Sequence, residues 1–187
     1  ELRIADCLDQ QNKHAEAAQA YRQFARLRPS HPELAYARFK AAEAELEQAP
    51  QDWLLAPPTH ERDQRFTQAA LRSLRSFLND FKDSEFTEQA RTLVTRAEFT
   101  LASHELYVAR FYLERDEPEA AIVRLRAMLR TYEASGLEAE AMVLMGRTQI
   151  ALRRMKEART TFGEVIARFP GSGMAEQAKR YLAAADG

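Results

Sequence analysis

The chain has little that would break a helix: six glycines and seven prolines among 187 residues. Alanine, leucine, glutamate, arginine and glutamine dominate instead, a composition that predicts an all-α fold with almost no strand. A single cysteine, Cys7, excludes an internal disulfide and any multi-thiolate metal site, and leaves the redox compartment unread. No stretch of about 18 apolar residues occurs, so no helix is expected to span a bilayer. An excess of charge of one sign is lacking as well. Lys and Arg number 27 against 28 Asp and Glu, a formal net charge of -1, which gives no global pull toward nucleic acid or an anionic membrane surface.

Catalytic signatures are equally thin. There is no Gly-x-Ser-x-Gly, no glycine-rich phosphate loop and no coupled Cys/His pair. His104-Glu105 opens the zinc-protease pattern His-Glu-x-x-His, but the second histidine position is Val108. His14, His31 and His60 fall at helix starts or loops without metal spacing. Glu43, Glu45 and Glu47 alternate along a helix and so do not share a face. No catalytic residue, metal or cofactor is expected.

What the chain does have is helical period. From Ser84 to Arg115 there is neither Gly nor Pro, and Phe86, Ala90, Leu93, Val94, Ala97 and Leu101 fall on one stripe. A second series, Phe99, Leu106 and Leu113, predicts contact from another side. At 1.5 Å per residue this helix is about 48 Å long, suited to the spine of a helical array. Before it, helices are predicted over 1–11, 14–28, about 31–49 and about 62–81. After it they are predicted over about 117–132, 137–153, 155–169 and 174–185. Ser30 is expected to cap the third helix, with Pro32 in its first turn and Glu33 as capping-box partner. The segment from Pro50 to His60 is expected to be a loop. Its Trp53-Leu54-Leu55 is read either as a plug between hairpins or as an exposed partner-binding tip.

The hairpins repeat. Ala17, Tyr21 and Pro29 are spaced by 4 and 8, and so are Ala158, Phe162 and Pro170. Ala70, Leu74 and Lys82, and Ala121, Leu125 and Glu133, keep the spacing without the proline. A small residue is needed where two helices cross closely, a large apolar one a turn later fills the gap, and a breaker closes the second helix. Gly146, twelve residues before Ala158, supplies the small residue of a first helix. Phe81, Ser84, Glu88, Gln89 and Ala90 recur as Phe169, Ser172, Glu176, Gln177 and Ala178. The pattern is that of tetratricopeptide repeats. It predicts an all-α helical-hairpin solenoid with one elongated central helix, in approximate units 1–30, 31–83, 84–133 and 134–170 with a capping helix 172–187.

Separations of 53, 51 and 37 between the aligned alanines exceed the roughly 34 residues of an ordinary unit. In order and spacing, the segments 26–39, 61–70, 81–90 and 102–132 resemble the BamD (ComL/YfiO) family of outer-membrane assembly lipoproteins. HELYVARFYLER (104–115) and AAIVRLRAMLRTY (120–132) carry most of the likeness. Against the family pattern, residue 1 falls in the first helix of the second repeat, so the signal, acylated cysteine and first repeat are expected to lie outside this chain. Asp6 before Cys7 marks that cysteine as not the acylated one.

The resemblance implies a non-enzymatic scaffold on the periplasmic face of the outer membrane, tied to the membrane only through the absent lipid anchor. It implies binding to the POTRA domains of the barrel-inserting protein BamA, to accessory lipoproteins of the same machinery and to unfolded outer-membrane proteins. Arg124 matches the family's POTRA-facing arginine, with Arg126 and Arg130 beside it. All three lie in residues 120–160, where eight basic and four acidic side chains leave about +4. A solvated helix face is the alternative for them. Tyr36 and Phe39 match aromatic positions of the family and are candidates for a client groove, or for packing between repeats. A periplasmic tetratricopeptide adaptor of cell-division coordination or pilus secretin assembly would share the repeats but not the POTRA contact.

Overall fold

Residues 1–48 and 63–186 are described by a computed structural model. Among them are nine helices: α1 Leu2–Gln10, α2 His14–Leu27, α3 Leu34–Glu47, α4 Arg65–Asp80, α5 Thr87–Glu114, α6 Pro118–Thr131, α7 Glu138–Ala151, α8 Met155–Arg168 and α9 Gly173–Asp186. No strand occurs among the described residues. The Pro50–His60 segment with Trp53, Leu54 and Leu55 lies outside them.

The repeat frame is the core. Ala17 and Tyr21, Ala70 and Leu74, Ala121 and Leu125, and Ala158 and Phe162 are all buried. Alanine lets a neighbouring helix approach, and the larger residue one turn on fills the space so opened.

The helices that carry these pairs end alike. Arg28, Phe81, Tyr132 and Phe169 have φ between -135° and -124° and ψ between 51° and 64°. Each is followed three residues on by a backbone N–H returning to its carbonyl, from His31, Ser84, Ser135 and Ser172. Proline at 29 and 170 favours such an extended preceding residue. Lys82 and Glu133 keep the same stop without proline, so the turn is set by packing and hydrogen bonds.

Within hairpins the turns are shared too. Asn12, Asp116 and Arg153 adopt φ of 59°, 59° and 58°. Each lies five residues before a frame alanine. The following N–H groups of Lys13, Glu117 and Arg154 bond back to the carbonyls of Leu8, Tyr112 and Gln149 at 2.8–3.0 Å. This left-handed stop satisfies carbonyls that the helix end would otherwise leave open. The result is a tetratricopeptide-like arrangement of helical hairpins.

The chain divides into two compact units, Glu1–Leu101 and Ala102–Gly187. In the first, Ala5, Ala17, Ala18, Tyr21, Ala41 and Ala44 join α1, α2 and α3, and Phe39, Ala42, Leu74, Phe77 and Ala90 join α3, α4 and the start of α5. In the second, Ala102, Leu106, Ala109, Ile122, Leu125 and Met145 join the end of α5 to α6 and α7. Met142, Val143, Phe162, Val165 and Ala178 join α7, α8 and α9.

Two local expectations change. Ser30 does not cap α3, which begins three residues past Pro29–His31 at Leu34; the His31 Nδ1 accepts the Glu33 N–H at 3.1 Å and holds the intervening turn. Phe99 is 51% exposed, unlike Leu106. It points about 200° from buried Ala97 at 100° per residue, away from the stripe that the first unit covers.

Candidate partner-binding surfaces

Helix α6 buries Ala121, Ile122, Leu125 and Met128 on one side. The opposite arc is exposed and centres on Val123, 65% accessible, with Arg130 beside it. Arg124 and Arg126 stand about 200° apart around the axis, so the three arginines do not form one cluster. They bracket the exposed arc. From one edge Arg124 reaches the Glu105 carboxylate of α5 at 3.6 Å. From the other, Arg126 pairs with Glu157 of α8 at 3.0 Å. Arg130, between them, has no acidic partner among the described residues.

Arg124 is a long-range pair rather than a tight one. Its approach to Glu105 exceeds hydrogen-bond distance, and the buried Glu105 Oε2 has no hydrogen-bond partner among the described residues. The Arg124 guanidinium is thus half-exposed and held by charge alone, free to turn toward another carboxylate. The same pair accounts for Glu105 of the His-Glu dipeptide. No group of three or more His, Cys, Asp or Glu among the described residues is arranged to hold a metal.

Tyr36 and Phe39 separate. Phe39 is 3% exposed and stacks on Phe86 at 5.1 Å with Phe77 behind it, so it packs in the core of the first unit. Tyr36 is half-buried. Its ring lines an open cleft with Phe81 and Phe86, and its hydroxyl donates to Asp6 Oδ1 at 2.7 Å. Tyr21 donates to the same oxygen at 2.7 Å. Burial, then the Asp6 hydrogen bond, raises both phenols above their ordinary value. Tyr36 is therefore a fixed, neutral donor at the edge of the cleft. Val123 was not singled out in the sequence; its place one residue before Arg124 and out of phase with the Ala121–Leu125 frame was the signal.

Helical hairpins with a shared alanine frame, and an exposed α6 face bordered by charge, define a helical-repeat protein. The sequence pattern of the YfiO family, described as outer membrane lipoprotein, matches residues 2–161, and the chain belongs to that family. Similar proteins include the outer membrane protein assembly factor BamD of Caulobacter vibrioides, 26% identical over 171 residues, covering 91% of this chain and 53% of that protein. BamD of Pasteurella multocida is 30% identical over 84 residues, 45% of this chain and 32% of the relative. BamD of Neisseria meningitidis serogroup A is 24% identical over 161 residues, 78% and 58%. The chain spans about half the length of the relatives matched along most of it. No described helix is long and apolar enough to cross a membrane.

Proposed function

We propose that this chain is a non-enzymatic scaffold for outer-membrane protein assembly, acting at the periplasmic face of that membrane. Its exposed α6 arc docks a POTRA domain of the barrel-inserting protein BamA. The observation that carries this is the surface built on α6 within a member of this family: an apolar centre at Val123, an unpaired Arg130 and two bracketing arginines. Apolar centres with charged edges are the usual anatomy of a protein interface, with arginine over-represented. Accessory lipoproteins of the machinery are further partners in this reading. Unfolded barrel proteins engage the cleft at Tyr36, with Phe39 as its support. Holding the insertase and client together lowers the entropy cost of assembly without bond chemistry.

Calorimetric titration of the 187-residue chain with the tandem POTRA domains tests it. Saturable binding weakened about tenfold or more by Arg124→Glu supports the reading. A variant that folds and binds as tightly as the parent removes α6 from the interface.

A further inference from the structure

The first unit carries an open cleft of about 550 Å³ that the reading above leaves unused. Its walls carry Arg22 and Arg26 one turn apart on α2, Arg38 and Glu45 two turns apart on α3, and Arg72 on α4. Among the lining residues described, four arginines face one carboxylate, a local +3 in a chain of net charge -1. That carboxylate is already engaged. Glu45 is 6% exposed, pairs with Arg22 and accepts from Ser73 Oγ at 2.6 Å. Arg38 is likewise held, by Asp80 at 2.8 Å. Arg26 and Arg72 are exposed, have no acidic partner among the described residues, and stand on the α2 and α4 walls on either side of α3.

We propose that this cleft binds an extended acidic peptide segment of a protein partner, with carboxylates at alternate positions. Arg22, whose side chain stays 57% exposed beside its Glu45 contact, and Arg26 are one helical turn apart, about 6 Å along the axis. Alternate side chains of an extended strand are about 6.6 Å apart on one face. The two spacings match. The α3 wall from Leu34 to Glu45 runs about 16 Å, the length of about five extended residues. Guanidinium groups take carboxylates in a bidentate fork, while Leu34 and Ala41 offer an apolar floor for the intervening side chains. No aromatic ring lines the cleft among the described residues, which leaves a single nucleic-acid strand without its stacking platform. This site lies in the first unit and is independent of the α6 reading.

The test is fluorescence anisotropy of a labelled peptide alternating glutamate and alanine, titrated with the 187-residue chain. The expected result is saturable binding that weakens about tenfold or more in Arg26→Glu/Arg72→Glu. The same loss is expected when the peptide's glutamates become glutamines. Arg91→Glu, on an exposed arginine outside the cleft, leaves binding unchanged. Arg26→Ala/Arg72→Ala, checked for helicity by circular dichroism, serves if charge reversal disturbs folding. Absence of saturable binding by the folded chain, equal binding of the glutamine peptide, or binding unaffected by the paired substitutions overturns the proposal. Tighter binding of an oligothymidylate strand than of the acidic peptide overturns it as well.

Discussion

The ring of Phe162 occupies the place where Gly146 would carry a side chain. A Cβ on Gly146 would lie 2.7 Å from both Cε1 and Cζ of that ring. Phe162 is buried and stacks on Tyr181 at 5.3 Å, so it has no room to withdraw. Alanine at 146 would gain about 1 kcal/mol of helix propensity against an overpacking cost of about 1–3 kcal/mol. We expect Gly146→Ala to lower the urea midpoint by a net loss of about 1 kcal/mol. Adding Phe162→Leu should cost less than it does in the parent, because the smaller side chain relieves the clash.

Arg153 holds a left-handed conformation, φ 58°, in the turn between α7 and α8. The equivalent turns use Asn12 and Asp116, residues that tolerate this region, whereas arginine pays for its Cβ there. Its side chain is exposed and has no ion-pair partner among the described residues. Arg153→Gly is expected to raise stability by about 1 kcal/mol, measured as a higher thermal midpoint. An unchanged or lower midpoint would show that the turn does not strain this residue.

Asp9 joins α1 to both following helices, with His14 Nδ1 at 3.0 Å and Lys40 Nζ at 3.0 Å. Burial alone would raise its pKa, but hydrogen bonds and charge from Lys40 and His14 hold it below the ordinary carboxylate value. A carboxyl depressed in the folded state adds stability above its unfolded pKa of about 3.9. That stability is lost as pH falls through the lower folded value. Asp9→Asn should therefore cost about 1 kcal/mol at neutral pH. The difference from the parent should shrink below about pH 4 and vanish once both states are protonated. A pH-independent difference in chemical denaturation would assign the loss to packing instead.

The alanine-and-large-residue frame was legible in the sequence because it is the core itself: spacing on a helix fixes which side chains share a face, and all eight frame positions are buried. Gly146 was legible for the same reason. The places of the hairpin turns were legible, but their left-handed conformation was not, since Asn12, Asp116 and Arg153 are not glycines and their shared φ arises from returning backbone hydrogen bonds. Phe99 misled because a series at sevens follows a helix face without saying whether anything covers it. At the α6 surface, nearness in sequence suggested one patch of Arg124, Arg126 and Arg130. Two residues along a helix is more than half a turn, so Arg124 and Arg126 became the two borders of the exposed arc.

The most direct measurement of the central claim is site-specific photo-cross-linking from position 123 to the tandem POTRA domains, with the exposed position of Ile4 on α1 as comparison. A cross-link from 123, lost on competition with unlabelled chain, is expected, and none from position 4. A cross-link from position 4 and none from 123, in a chain that binds the POTRA domains, would contradict it and move the interface off α6.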